Sequence, residues 1–137
     1  MTRREAKNEL RPIKEINADI RTMELEIERL MTVATKMTPN YDPNLGSSSY
    51  HNKIEEALIK IEKYRGRLSH LMLESLDYRN KCLNKIERIQ PKSLQKFLVL
   101  YYYQDKTLEQ VSEIVDRSPR WTYERFCSAL DAYAKIS

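Results

Sequence analysis

A spacing of three and four residues dominates the first third of the chain. Ile13, Ile16, Ile20, Met23, Ile27, Leu30, Ala34 and Met37 follow one another in those steps, the signature of a helical seam sustained for more than three heptads. Lys14, Glu15, Arg21, Glu24, Glu26, Glu28 and Arg29 keep the other faces wet. A helix of this length spans roughly 40 Å at about 1.5 Å per residue. It cannot stand alone, because the seam needs a partner.

The partner is supplied by the same chain. Ile54, Leu58, Ile61, Leu68, Met72, Leu76, Leu83 and Ile86 form a second long stripe, with Ser48 or Ser49 as its cap. Arg65 and Arg79 interrupt it, and their long side chains can reach water. The two stripes predict a long antiparallel helical hairpin, a coiled coil, whose second arm runs past the first. Leu71, Tyr64 and Tyr78 widen the second stripe and point to a further partner, a second copy of the chain. Between the arms, residues 38–50 read TPNYDPNLGSSSY, a helix-breaking spacer that offers Tyr41, Leu45 and Tyr50 as apolar handles. Its GSSS lacks the Gly spacing and the Lys of a phosphate-binding loop. Met1 to Glu9 is polar and charged and reads as frayed or loosely helical. Its cluster of Arg3, Arg4, Lys7 and Arg11 is either a solvated terminus or a nucleic-acid arm.

Pro91 closes the second helix near Gln90, and Ser93 is placed to cap the next. Leu94, Phe97, Leu98, Leu100 and Tyr101 then form a core helix, with Tyr101 inward and Tyr102 and Tyr103 diverging, or the tyrosines stack on single-stranded bases. Gln104 to Lys106 is a connecting loop. From Thr107 to Leu130 the chain reads TLEQVSEIVDRSPRWTYERFCSAL. Thr107 and Gln110 compose a capping box, and Leu108, Val111, Ile114 and Val115 share a face. Ser112 is small enough for a close crossing. Asp116 falls at the turn and tolerates the left-handed conformation. Ser118 is a second N-cap with Pro119 at the first helical position. Thr122, Phe126, Ala129 and Tyr133 make the next inward stripe. Two short helices joined by such a turn describe a helix-turn-helix, whose second helix enters the DNA major groove.

These residues also carry a resemblance. Thr107-Leu108-Glu109-Gln110-Val111, Asp116, Ser118 and Ala129-Leu130 are similar to the promoter-reading C-terminal domain of bacterial sigma factors. LQKFLVLYYYQD, residues 94–105, resembles the LxxVLxLRYxxG helix that leads into it. Val33-Ala34-Thr35-Lys36-Met37, Asn44-Leu45-Gly46-Ser47-Ser48-Ser49 and Arg120-Trp121-Thr122-Tyr123 extend the resemblance to small Gram-positive phage proteins, the ArpU-type and RinA-type regulators. Arg117, where such motifs place an apolar residue, and Asp116, where they place Gly, are departures. The resemblance implies a phage regulator of late-gene transcription working with host RNA polymerase in the bacterial cytoplasm.

With Thr122 and Phe126 inward, Arg120, Tyr123, Glu124 and Cys127 point outward. Arg120 suits the two major-groove acceptors of guanine, Glu124 the amino group of cytosine, and Tyr123 a thymine methyl or a phosphate. Ser118 and its neighbouring N–H groups, with Arg117 and Lys106, suit phosphates. Each reading stands beside the plainer one of a solvated side chain. Trp121 sits on a flank, against the scaffold or free to intercalate.

Charge adds little. The net charge is +4, and from Pro91 onward seven Lys and Arg face six Asp and Glu. This is weak support for DNA binding taken alone. His51 and His70 have no Cys at ligand spacing, so neither a metal nor a cofactor is expected. Cys82 and Cys127 lack an activating His and read as reduced thiols. No catalytic constellation is present, which argues against an enzyme. No apolar run reaches the length of a membrane span, and no signal peptide is evident.

The expectation is therefore an all-α protein. Residues 1–90 form the hairpin, for oligomerisation or docking, and residues 91–137 a sigma-like domain of three or four helices. It binds double-stranded DNA as a homodimer joined through the long helices, without a membrane. The alternatives are a packaging-initiation protein of small-terminase plan, or a helical adaptor that binds polymerase or a sigma factor and never reads DNA.

Overall fold

Heptad spacing and a near absence of Gly leave this chain little but helix to form, and the computed structural model is all-α. It describes residues 1–36 and 47–136. The helices are α1 (Arg3–Lys36), α2 (Ser47–Glu87), α3 (Gln95–Leu98), α4 (Leu108–Val115) and α5 (Pro119–Ala134). A 3₁₀ turn, Lys92–Leu94, precedes α3, and a π turn, Val99–Tyr103, continues it. Met37, Tyr41 and Leu45 lie outside the described residues, as does most of the expected spacer. The side chains of Ser48, Ser49 and Tyr50, proposed caps and handle, lie outside them too.

α1 and α2 form the antiparallel hairpin, and the chain divides into two compact units, residues 19–74 and residues 1–18 with 75–137. In the first unit Ile27, Leu30 and Ile61 are buried together, with Tyr64 and Leu68 packed against them. In the second, Ala6, Leu10 and Ile13 of α1 join Cys82, Ile86 and Ile89 in one core with Phe97, Leu98, Val111, Phe126, Leu130 and Tyr133. Each large aliphatic side chain buried there contributes roughly 1.5–3 kcal/mol. The division drawn at Pro91 follows a helix break, whereas this grouping follows the shared core.

Several expectations change. Of the two readings of the N-terminus, the helical one holds, and α1 begins at Arg3. The Thr2 hydroxyl accepts from the Glu5 N–H at 3.2 Å and donates to the Glu5 carboxylate at 3.2 Å, a side-chain N-cap that starts α1 at Arg3. Ala6 and Leu10 are fully buried, so α1 reaches the end of α2 and the second arm does not outrun the first. The inward stripe of α2 runs through Ala57, Ile61, Tyr64, Leu68, Ser75, Tyr78, Cys82 and Ile86, whereas Leu58, Met72 and Leu76 are exposed. Ser93 lies inside the 3₁₀ turn and caps nothing. The Gln95 amide instead donates to the carbonyls of Glu87 (3.0 Å) and Ile89 (3.1 Å), closing α2. Of the three consecutive tyrosines, Tyr102 and not Tyr101 is buried, because a π turn holds an extra residue and shifts the inward phase. Tyr101 is half-buried, its ring edge-on to Phe126 at 4.9 Å.

Candidate nucleic-acid interface

The entry to the helix-turn-helix is held by α1. The Asn17 amide donates to the carbonyls of Tyr102 (2.7 Å) and Tyr103 (2.9 Å). The Lys14 ammonium donates to Tyr101 O at 3.1 Å and lies 3.3 Å from Asp105. These are carbonyls that the end of a helix leaves without partners. Asp105 then takes a left-handed conformation at φ 52°, turning the chain into α4.

The capping box at α4 forms as its sequence dictates. Thr107 Oγ1 accepts from Gln110 N at 3.1 Å, and Gln110 Oε1 accepts from Thr107 N at 2.9 Å. Val111 and Ser112 are buried and Leu108 and Val115 half-buried, while Ile114 is exposed, so the inward face lies to one side of the expected one. Asp116 adopts φ 56°, ψ 50°. The N–H of Arg117 bonds to Ser112 O at 3.1 Å and that of Asp116 to Glu113 O at 3.2 Å, the two bonds of a Schellman stop with Asp in the usual glycine place. Ser118 Oγ accepts from Trp121 N at 3.2 Å, and Pro119 opens α5. The departures at Asp116 and Arg117 therefore fit a closed turn.

Thr122, Phe126, Ala129, Leu130 and Tyr133 are buried, which fixes the phase of α5. Arg120, Tyr123 and Glu124 are left exposed. The Arg120 side chain is 91% exposed and reaches Glu124 at 3.5 Å, one turn on along the same face. Ser118 and Arg117 stand at the start of the same helix. The Arg117 guanidinium lies 5.4 Å from the Trp121 ring centre and Arg125 lies 5.2 Å from it. Trp121 is itself edge-on to Phe97 at 6.0 Å, so it packs on the scaffold. Lys106 stands apart, half-buried before α4, where its carbonyl accepts from Lys14 at 3.4 Å.

Cys127 is buried rather than outward, because the start of α1 lies along that side of α5. Arg3 and Asp131 form a two-pronged pair at 2.6 and 2.7 Å, which holds the Asp131 carboxyl below its ordinary range. A hydrogen bond with Cys127 pushes the Tyr123 phenol up. The exposed candidate surface is thus the first two turns of α5.

The fold brings part of the basic N-terminal cluster beside this surface. Lys7, Arg11 and Lys14 line a cleft of about 240 Å³, with Leu108 and Tyr123 on its opposite side. The signal was present in Thr2-x-x-Glu5 followed by Ala6, Leu10 and Ile13 at helical spacing, which orders the basic stretch. Among the described residues no three His, Cys, Asp or Glu side chains gather as a metal site. Nor is any helix there long and apolar enough to cross a membrane. Comparison of the chain with protein-family models, with curated proteins and with solved structures finds no match.

Proposed function

We propose that this chain is a sequence-specific reader of double-stranded DNA and a regulator of transcription, with α5 as the helix that enters the major groove. One observation supports this most: a doubly capped helix pair, stopped by Asp116 and restarted by Ser118, presents Arg120, Tyr123 and Glu124 outward from the first turns of α5. In such motifs those turns meet the base edges. Arg120 would bridge guanine, Glu124 would accept from cytosine, and Ser118, Arg117 and Lys106 would hold phosphates. The resemblance to ArpU- and RinA-type proteins adds late phage genes as the target and host RNA polymerase as a partner.

A homodimer belongs to the same reading. Leu58, Ile59, Met72 and Leu73 are exposed on α2, and Leu25, Met31 and Val33 on α1, more apolar surface than a solitary hairpin needs. Light scattering on the full chain at micromolar concentration should give twice the chain mass. A monomer at high concentration removes the dimer.

Footprinting on phage DNA tests the function. Protection at a late promoter supports regulation, and protection at a packaging locus moves the reading to packaging initiation. Absence of any footprint favours an adaptor that binds polymerase or a sigma factor.

A further inference from the structure

We propose that Lys7 and Arg11 form a second DNA-backbone site beside α5, which makes α1 part of the nucleic-acid interface; this rests on α5 as the reading helix. Arg4, Lys7, Arg11 and Lys14 follow at steps of three and four, so they share one face of α1. That face is held in place, because the neighbouring Ala6, Leu10 and Ile13 are fully buried. Lys14 is engaged internally with Asp105 and two backbone carbonyls. Lys7 and Arg11 line the cleft that Tyr123 closes on the other side, and no carboxylate lines it.

Both acids that α5 carries already face an arginine: Asp131 holds Arg3, and Glu124 lies beside Arg120. What the cleft offers is positive charge next to the exposed turns of α5. Lys7 and Arg11 are about 6 Å apart along the helix axis, close to the separation of neighbouring phosphates on one strand. A duplex with its major groove on Arg120 and Tyr123 carries a phosphate strand along each side of α5. The Tyr123 side, where α1 lies, is where Lys7 and Arg11 meet one of them. A phosphate strand fits better than an acidic protein segment because the same surface exposes base-reading side chains.

The test uses the full chain and a mixed-sequence duplex, with dissociation constants measured over a range of salt concentrations. Each lost phosphate contact lowers the slope of log affinity against log salt by about 0.9. Lys7→Gln with Arg11→Gln should lower it by about 1.8 and weaken low-salt binding by roughly tenfold. Arg11→Gln alone, at an exposed position, should lower it by about 0.9 with an unchanged melting curve. A control with the same charge loss, Lys63→Gln with Lys81→Gln, should leave the slope as in the wild type. Equal slopes in all the variants overturn the proposal. If Arg120→Ala weakens binding while the Lys7 and Arg11 variants keep the wild-type slope, α1 is no contact and the reading of α5 stands. If the wild type binds no duplex, both fall. If the double variant loses only binding to a polyglutamate peptide, the site belongs to acidic protein and the proposal fails.

Discussion

The Lys85 ammonium lies 2.9 Å from a carboxylate oxygen of Glu9, with the two side chains only 17% and 16% exposed. The pair joins the end of α2 to the start of α1. Lys85 also stands 5.3 Å from the centre of the Tyr133 ring on α5, and the Tyr78 hydroxyl donates to the Glu9 carbonyl. Removing one partner leaves the other largely buried without its counter-charge. Glu9→Ala should therefore cost about 1.5–3 kcal/mol in urea unfolding. Glu9→Leu combined with Lys85→Met should regain most of it. A loss below about 0.5 kcal/mol for Glu9→Ala would make this an ordinary surface pair.

Leu10 gives a sharper test of the N-terminal helix. It is fully buried among Ile13, Ile86 and their neighbours, so Leu10→Ala should destabilise the chain by about 2–5 kcal/mol. Lys81→Ala, at an exposed position of α2, should change stability by no more than about 0.5 kcal/mol. A frayed N-terminus would give both substitutions the same negligible effect.

Burial pushes up the phenols of Tyr78, Tyr102, Tyr103 and Tyr133, that of Tyr78 to about 12. A raised folded-state pKa favours the neutral phenol, so this stability is complete below the ordinary tyrosine value near 10. It is lost as the pH climbs from there towards the folded values. Unfolding free energy should fall steadily above about pH 10, and Tyr102→Phe should make that fall shallower. Absorbance titration should show these four ionising only as the chain unfolds. Ionisation of all nine tyrosines in a single step at the ordinary value would contradict the packing.

Local hydrogen-bond chemistry was the most legible part of the sequence. Thr107 with Gln110, Asp116 and Ser118 each act on backbone groups within a few residues, so their roles needed no tertiary context. The phase of α5 was legible for a related reason: Thr122, Phe126, Ala129 and Tyr133 offer one apolar stripe without a rival. On α2 two stripes compete. Leu58, Met72 and Leu76 are more apolar than Ala57, Ser75 and Cys82, yet the second set is buried. Small residues let the facing helix approach closely, and that advantage appears only once the partner is in place. The burial of Tyr102 was hidden by the π turn, which no periodic pattern announces. At Cys127 the missing knowledge was tertiary, because its cover comes from α1, more than a hundred residues earlier in the chain.

The central claim is that α5 reads bases, and Arg120 tests it most directly. Its guanidinium projects almost wholly into solvent from the first turn of α5. A bidentate base contact contributes roughly 1–3 kcal/mol of discrimination. Binding isotherms should be measured on a duplex selected by the wild-type protein from a random pool, and on a scrambled duplex of the same length. Arg120→Ala should bind the selected duplex about ten- to a hundredfold more weakly, with a smaller loss on the scrambled one. Arg117→Ala should weaken both alike, with a salt slope lower by about one. Equal losses on both duplexes for Arg120→Ala, or no loss on either, would contradict the account.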